Sequence, residues 1–331
     1  MKKLISLLVV LSLVLSFGVA TFAADFQFKF AATGVPGDAH IEAMQIFADK
    51  VKELSNETIT INVFHSGSLY SNVETENDAL RSGDLEFAYT TPQILAVNID
   101  YFSMFTAGYF FKNYEHMTKT FNGQIAKERL YKDIEDKLGI TILGVCYMGA
   151  RQLNTRVGPI KTPDDLKGLL LRMPNTPQWL FLGKALGANP TPLAFNEVYT
   201  GLSTGTIDGQ DNPLPTTYNA KFYEVAKYIS LTSHIVDSGW LAINTKVLNS
   251  LNENQKKAVF DAAEYIIKYI DDKNINREKD LIQTLKDQGV TVTVPDIDAF
   301  KEKVQSAYLA DAAMTANWDM DLYKKIQELE K

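Results

Sequence analysis

The sequence predicts an α/β protein of two domains, each built on a mainly parallel sheet flanked by helices. Strand-like and helix-like segments alternate along most of the chain. The chain has 331 residues, of which 46% are hydrophobic, and this length exceeds one typical core. One helical segment near the carboxyl end is long enough to pack on both domains.

The amino-terminal segment has the layout of a secretory signal peptide. Two lysines precede an uncharged apolar stretch, and small residues follow around Ala23 and Ala24. This order predicts that residues 1–23 are a cleaved signal peptide. An uncleaved membrane anchor is the alternative, which the alanine-rich exit and the polar continuation disfavour. We therefore expect an exported, soluble protein.

The charge and the cysteine count exclude several classes of partner and chemistry. Removal of Lys2 and Lys3 with the signal peptide leaves 31 basic and 40 acidic residues, a formal net charge of −9. An acidic chain without a basic run favours neither nucleic acid nor an anionic membrane as a partner. The single cysteine, Cys146, lies in an apolar segment and is predicted to be a small core residue.

The opening of the mature chain, residues 26–92, has the pattern of a βαβαβ unit. "FQFKFAAT" alternates as a strand, and "AHIEAMQIFADKVKELS" has helical spacing with Asp38 as its N-cap. "ITINVFHSGSL" is the next strand, "NVETENDALRSGD" a short helix and "LEFAYTTP" a further strand. This order predicts a doubly wound domain with a mainly parallel sheet.

The same kind of pattern repeats from Gly139 to Gly205. Three segments are predicted to be strands or extended, namely "GITILGVCYMG" (139–149), "LLLRMP" and "NPTPLA". The segments between and after them, "TPDDLKG", "TPQWLFLGKALG" and "FNEVYTGLSTG", are predicted to be helical. A second α/β domain follows from this repetition.

A long helix is predicted from Asn252 to about Gly289. Gln255 stands where it completes a capping box with Asn252. Both ends of the helix carry apolar stripes, whereas its middle, "DDKNINREKD", is polar on every face. The pattern predicts one helix that packs on two domains and is exposed between them.

Signatures of enzymes and metal sites are weak. Gly201–Gly205 matches G-x-S-x-G, but a nucleophile elbow needs a turn after a strand, and Ser203 is predicted in the last turn of a helix. The four histidines lack metal-binding spacing, and there is no cysteine cluster, P-loop or dinucleotide fingerprint. We expect no metal and no cofactor, and a secreted serine hydrolase using Ser203 is an alternative function.

The run "LLLRMP" places an arginine in an apolar strand. Alternation puts Arg172 on the same face as Leu170, with no acid beside it. Arg172 also lies at the carboxyl end of its strand, where ligands of open α/β sheets bind. Its planar guanidinium suits a carboxylate. That carboxylate belongs either to an internal acid such as Asp211 or to a ligand, and both can hold at once.

The segment "DLKGLLLRMPNTPQWLFLGKALGANPTPLAFNEVYTGLSTGTIDGQDNP" resembles the solute-binding proteins of TRAP transporters, the tripartite ATP-independent periplasmic importers of the DctP family. The motifs L-K-G-x-x-x-R-x-P, L-G-A-x-P-x-P, E-V-Y and D-G-Q-x-N-P occur in order, and the similarity covers essentially the whole mature chain. The resemblance implies a two-domain periplasmic-binding-protein fold with crossing strands and a long helix that spans both domains. Domain 1 is then residues 24–149 plus about 237–276, and domain 2 is residues 150–236 plus about 277–331.

The resemblance also implies a set of site residues. Arg172 holds the ligand carboxylate, and Arg151 is a second cationic contact. Asn212 and Phe195 are implied to line the ligand. Asp211 and His234 are implied to form a polar network behind Arg172. Asn175 is implied to take part in both. Asp211 stands where the family more often has glutamate.

Further candidates by position are Thr33, Asn72, Thr91, Trp179 and Trp240. The first three could bond ligand hydroxyls or serve as turn and cap residues. The two tryptophans could flank a sugar face or fill a domain interior.

The implied ligand is a small organic acid. A uronate or aldonate type of sugar acid is favoured over a C4-dicarboxylate. In the sialic-acid-binding branch the segment matching "YTTPQI" carries an acid and an arginine, which are absent here and disfavour sialic acid. The implied partners are small and large membrane subunits of the DctQ and DctM type, served by a monomer in the periplasm. A ligand-sensing protein that feeds a receptor is the alternative.

Overall fold

The computed structural model describes residues 25–330, so the predicted signal peptide lies outside the described residues. The strands within this range are β1 Phe26–Ala31, β2 Ile59–Phe64, β3 Phe87–Thr90, β4 Ile140–Thr155, β5 Leu170–Met173, β6 Asn189–Pro192, β7 Gly209–Pro213, β8 Tyr228–Ser230, β9 Val236–Asn244 and β10 Thr291–Thr293.

Helices connect and cover these strands. The α-helices within residues 25–330 are α1 Ala39–Leu54, α2 Val73–Ser82, α3 Pro92–Leu95, α4 Tyr114–Phe121, α5 Tyr131–Leu138, α6 Pro177–Leu186, α7 Val198–Thr204, α8 Leu214–Asn219, α9 Phe222–Val225, α10 Thr245–Ser250, α11 Glu253–Asp287, α12 Ile297–Ala310, α13 Ala312–Thr315 and α14 Met320–Glu328. Short 3₁₀ turns cover Asp100–Thr106, Pro163–Leu166 and Phe195–Glu197, and a π-helical turn covers Ala126–Leu130. None of the helices described is both long and apolar enough to cross a lipid bilayer.

The strands form two groups joined in the middle. In the first group β1 lies between β2 and β3 and runs parallel to both. In the second group β5 lies between β6 and β7, again parallel to both. These pairings confirm the predicted α/β class. The order β3-β9-β4-β7 links the groups, and β9 and β4 run antiparallel to their neighbours along this path.

Strand β4 belongs to both groups. Its first part, 140–150, pairs with β9, and its last part, 151–155, pairs with β7 and β8. The prediction ended this strand at Gly149, which is wrong because the following residues find new partners in the second group. The pairing with β9 shifts between Tyr147 and Gly149, where Gly149 has φ +116°. A Cβ at this position would lie 2.7 Å from Pro213 Cβ, so glycine permits the crossover.

Two large hydrophobic clusters cover the faces of the first group. One packs α1 and the amino-terminal half of α11 on the sheet through residues such as Phe30, Phe47 and Ile266. The other lies on the opposite face and continues into the second group, from Trp240 to Met173. Cys146 is buried in the first of these clusters, which confirms its predicted place in the core.

The long helix is α11, with 35 residues. Its predicted N-cap is confirmed: Asn252 Oδ1 accepts from Gln255 N at 3.0 Å, and Gln255 Oε1 accepts from Asn252 N at 3.1 Å. The capping box depends only on local sequence, which is why its position was predictable.

The polar middle of α11 is exposed on its outer face only. Asp271 and Asn274 on its inner face are buried, so the prediction of a fully exposed segment is wrong. Asp271 Oδ1 accepts from Tyr147 N at 2.7 Å, and Asn274 Nδ2 donates to Tyr147 O at 2.8 Å. Glu278 Oε1 accepts from Ala150 N at 2.7 Å. The irregular pairing of β4 here leaves backbone groups without ladder partners, and polar side chains of the helix satisfy them. Helix α11 is therefore bonded to β4 where this strand passes between the two groups.

Candidate functional site

A cavity of about 450 Å³ lies between the two strand groups. Its walls include side chains from the first group, the second group and the crossing strands. Most of the predicted site residues line it, namely Thr33, Asn72, Thr91, Arg151, Arg172, Asn175, Trp179, Phe195 and Asn212. Three predicted residues, Asp211, His234 and Trp240, do not line it.

Arg172 enters the cavity from the carboxyl end of β5. Its strand neighbours Leu171 and Met173 are buried in the core, and Arg172 itself is only 4% exposed. Its Nε donates to the carbonyl oxygen of Leu193 at 2.8 Å, whereas its Nη atoms make no hydrogen bond within residues 25–330. Burial lowers the pKa of Arg172 to about 10. The cavity thus contains a buried cation that no carboxylate of the described chain pairs with.

Arg151 lies in the same cavity, and its surroundings are opposite in kind. Its Nε donates to Asp211 Oδ2 at 2.7 Å, and its Nη1 donates to Asp237 Oδ2 at 2.7 Å. The guanidinium also stacks over the ring of Trp179, 4.4 Å from the ring centroid. Burial alone would lower the pKa of Arg151, but the two carboxylates raise it above its ordinary value. The charge of Arg151 is therefore balanced within the protein.

Asp211 and His234 form a fully buried support for Arg151. His234 Nε2 lies 3.1 Å from Asp211 Oδ2, and its Nδ1 lies 2.8 Å from Thr232 Oγ1. Burial would raise the pKa of Asp211, but Arg151 and the hydrogen bond from His234 lower it well below its usual range.

The prediction that Asp211 and His234 support Arg172 is therefore wrong, because these residues support Arg151. The strand pairings explain why Asp211 meets Arg151 and not Arg172. Arg151 pairs with Pro213 of antiparallel β7, so Asp211 lies diagonally across on the same face. Arg172 pairs instead with Gln210 of parallel β7. Successive residues of a strand face opposite sides, so Asp211 points away from the face that Gln210 and Arg172 share.

The remaining predicted residues of the second group line the same cavity as Arg172. Asn212 is buried, and its Nδ2 donates to Gln210 Oε1 at 2.5 Å. Phe195 begins a 3₁₀ turn and packs edge-on against Phe222, with ring centroids 5.6 Å apart. Asn175 follows β5 and is exposed at the cavity rather than held in the network with Asp211, which corrects its second predicted role.

The three small polar candidates of the first group also reach the cavity. Asn72 caps α2, with Oδ1 accepting from Thr75 N at 2.9 Å. Thr91 caps α3, with Oγ1 accepting from Ile94 N at 3.4 Å. Thr33 lines the cavity from the segment after β1. Asn72 and Thr91 therefore have the cap role that was one of their two interpretations, and they have it at the cavity wall.

The two tryptophans differ. Trp179 lines the cavity beneath Arg151. Trp240 is fully buried, with its ring among Phe102 and Phe121, and its Nε1 donates to Ser238 Oγ at 3.1 Å. Of the two interpretations of Trp240, contact with the ligand is therefore wrong and filling of a domain interior is correct. It lies on β9, where both faces of the sheet are covered, so its ring fills the interior.

Sequence reasoning missed the four acidic residues that line the cavity, namely Asp38, Glu74, Glu197 and Asp237. Asp237 belongs to β9 and binds Arg151, and Glu74 lies in the first turn of α2. Asp38 occupies the N-cap position of α1, as predicted, but its side chain makes no cap hydrogen bond. Its Oδ1 instead accepts from Asn219 Nδ2 at 2.8 Å. An acid inside the apolar strand "HIVDSGW" was a usable signal for Asp237, of the same kind as Arg172.

Neither serine hydrolysis nor metal binding is supported at the cavity. Ser203 is exposed in the last turn of α7, as predicted, and it does not line the cavity. Within residues 25–330 no three metal-binding side chains cluster in a way that would hold an ion.

Comparison with known proteins gives a consistent result. The model of a family described as bacterial extracellular solute-binding protein, family 7 (DctP), matches residues 30–313. The sialic acid-binding periplasmic protein SiaP of Vibrio cholerae is 29% identical over 306 residues, which cover 92% of this chain and 94% of SiaP. The 2,3-diketo-L-gulonate-binding periplasmic protein YiaO of Escherichia coli is 28% identical over 321 residues, 95% of each chain.

A solved structure extends the likeness to the fold. A TRAP periplasmic solute-binding protein from Roseobacter denitrificans, with bound 3-deoxy-D-manno-oct-2-ulosonic acid, superposes with a TM-score of 0.87. The two sequences are 38% identical, and the match covers 92% of this chain and 99% of the other.

Proposed function

Because the chain belongs to the DctP family of TRAP solute-binding proteins, we propose that it captures a small organic acid anion by pairing the acid's carboxylate with Arg172. The ligand is a uronate or aldonate type of sugar acid, or a C4-dicarboxylate. The observation that carries this proposal is the buried guanidinium of Arg172, which faces the cavity and has no carboxylate partner among the described residues.

The physical argument rests on charge compensation. A buried cation without a counter-ion is costly, and a ligand carboxylate removes that cost on binding. Each hydrogen bond between charged groups contributes about 1.5–3 kcal/mol, and a guanidinium with two unbonded Nη groups offers a bidentate pair. Arg151 adds positive potential nearby, but Asp211 and Asp237 already balance it. Arg172 therefore provides the main attraction for the anion.

Closure of the two strand groups on the ligand is the proposed mechanism. The cavity lies between the groups, and the chain passes between them through β4 and β9. A ligand that contacts both walls favours the closed arrangement, because its contacts are more numerous there. The closed, loaded protein then delivers its ligand to the small and large membrane subunits of a TRAP transporter.

The relatives support the ligand class and the location. The proteins of Vibrio cholerae and Escherichia coli are named for binding sugar acids and are called periplasmic, and the structure from Roseobacter denitrificans holds a sugar acid. We propose the same class of ligand for this chain and export to the periplasm after removal of residues 1–23, with the protein acting as a monomer.

Thermal unfolding with and without acids tests the proposal. The mature protein is scanned with D-galactonate, D-glucuronate, 3-deoxy-D-manno-oct-2-ulosonate, N-acetylneuraminate and succinate. An acid present at about 100 times its dissociation constant adds about 2.7 kcal/mol to the free energy of unfolding. We expect at least one acid to raise the melting temperature of the native protein, and Arg172→Ala to abolish the rise.

The matched control is Arg156→Ala, which removes a partly exposed arginine that does not line the cavity. This variant keeps the shift. An equal shift in Arg172→Ala and in the native protein would place the anion elsewhere and overturn the proposal.

A further inference from the structure

Two carboxylates of the first strand group line the cavity and have unsatisfied oxygens. Asp38 is 2% exposed, and its Oδ2 is buried without a hydrogen-bond partner in the described structure. Glu74 also has a buried oxygen, Oε1, without a partner in that range. A buried carboxylate oxygen is a strong acceptor, and leaving it unbonded is costly. Two such oxygens at one cavity are therefore a sign of a missing donor.

The charges around the cavity do not supply this donor. Arg151 is bonded to Asp211 and Asp237, and Arg172 is bonded only to Leu193 O. Arg277 approaches Asp38, but its Nη1 donates to Gly37 O and its Nη2 to Asn219 Oδ1, each at 2.8 Å. The cavity therefore has an unpaired cation on the second group and unpaired acceptors on the first.

Asp38 acts only as an acceptor at neutral pH. Burial raises the pKa of Asp38 to about 6, against the hydrogen bond from Asn219 and the nearby charge of Arg277, which lower it. The carboxylate is thus mostly ionised above pH 7. An ionised carboxylate has no proton to donate and repels a second anion, whereas hydroxyl groups satisfy it.

We propose that Asp38 and Glu74, the acceptor pair, bind hydroxyl groups at the end of the ligand remote from its carboxylate. This inference rests on the proposed function and narrows it to one ligand class: polyhydroxy monocarboxylates of the aldonate and uronate type. A ligand with a carboxylate at both ends places its second anion against the acceptor pair, where like charges meet in a desolvated site. Dicarboxylates of similar length should therefore bind more weakly than the corresponding monocarboxylates.

Three six-carbon acids that differ in their far end test the inference. Galactonate ends in a primary alcohol, galactarate in a second carboxylate and 6-aminohexanoate in an ammonium group. Isothermal titration calorimetry at pH 7.5 gives the dissociation constant of each with the native protein, Asp38→Asn, Glu74→Gln and Arg172→Ala. Both amide variants keep the shape of the side chain, and asparagine at position 38 still offers an oxygen to Asn219.

We expect the native protein to bind galactonate at least tenfold more tightly than galactarate. Each amide variant should weaken galactonate by about tenfold, as expected for a hydrogen bond to a charged group, and should narrow the preference over galactarate. The matched control is Asp78→Asn, which neutralises an exposed acid on α2 that does not line the cavity. This control keeps both the affinity and the preference.

The other outcomes separate this inference from the proposed function. Equal binding of galactarate and galactonate, or a preference that both amide variants preserve, overturns the role of the acceptor pair. If binding still depends on Arg172 in that case, the proposed function stands. Tighter binding of 6-aminohexanoate shows that the pair recognises ammonium and also overturns the inference. If galactonate and D-glucuronate do not bind the native protein but another acid of the thermal-unfolding panel binds through Arg172, the inference fails and the proposed function stands. If no acid of either set binds, both proposals fail.

Discussion

Arg151 and Arg172 line the same cavity and are buried to nearly the same degree, 6% and 4% exposed, yet their surroundings are opposite. Arg151 has two carboxylate partners and an aromatic ring beneath it. Arg172 has one backbone carbonyl. Burial therefore does not by itself identify a ligand-binding arginine. What distinguishes the two is whether the chain has already supplied the counter-ion.

The difference assigns the two arginines different physical tasks. The cluster around Arg151 fixes β4 to β7 and β9 by charge-assisted bonds, just after the crossover at Gly149. Arg172 keeps its Nη groups unbonded within the described chain, and the proposed ligand carboxylate would offset the cost of its desolvation. The comparison predicts that Arg151 controls the stability of the protein and that Arg172 controls binding of the ligand.

Substitution of Arg151 by glutamine should have the largest effect on stability. The change leaves Asp211 and Asp237 buried without their cation, and breaking a buried pair from one side costs about 3–5 kcal/mol. Urea unfolding of the ligand-free variant at pH 7.5 measures this loss. The control is Arg156→Gln, whose arginine lies 3.6 Å from Asp208 at a partly exposed site and should change stability little. A loss below about 1 kcal/mol for Arg151→Gln would remove the basis of the comparison.

Asp237→Asn should have a smaller effect. Asp237 is one of two carboxylates on Arg151, and an asparagine oxygen still accepts a hydrogen bond from Nη1. Arg151 keeps Asp211, so no cation is left without a counter-ion. We expect a loss of about 1–2 kcal/mol in the free energy of unfolding, the contribution of one charge-assisted hydrogen bond. A loss as large as that of Arg151→Gln would mean that Asp211 alone does not balance the guanidinium.

Acid titration should expose the contribution of Asp211. Its pKa is lowered in the folded protein, so its stabilisation is fully present above its unfolded pKa, near 3.8, and is lost as the pH falls below that value. Between pH 5 and pH 3 the native protein should lose on the order of 1 kcal/mol more than Asp211→Asn. Urea unfolding at the two pH values measures this difference. Equal losses would show that Asp211 does not titrate in this range with the sign given by its partners.

The sequence predicts the α/β architecture and singles out Arg172 as a cavity residue, because both depend on local sequence pattern. A single charge in "LLLRMP" conflicts with the strand around it, and the residue in conflict is the one left unpaired in the cavity. The cap of α11 at Asn252 was likewise predictable, since the capping box involves only neighbouring residues.

The partner of Asp211 was not predictable in the same way. Which arginine it meets depends on the register of β7 against β4 and β5, which are distant in sequence. The prediction for the polar middle of α11 was wrong for a related reason. Helical periodicity treats Asp271 and Asn274 as exposed because they are polar, but they bond backbone groups of β4 that only the tertiary structure brings there. Asp38 is likewise predicted to cap α1, because the sequence does not show that Asn219, 181 residues away, is its hydrogen-bond partner.

Arg172→Gln should have the smallest effect on the stability of the ligand-free protein, and this is the sharpest form of the comparison. The substitution removes the donor to Leu193 O, which costs about 1 kcal/mol, and it also removes a buried charge without a counter-ion, which offsets that cost. We expect a net change within about 1 kcal/mol in either direction, by urea unfolding under the conditions used for Arg151→Gln. A loss of about 3 kcal/mol or more would show that Arg172 is balanced by protein groups after all. Near-neutral stability joined to lost acid binding separates a guanidinium kept for a ligand from one that holds strands together.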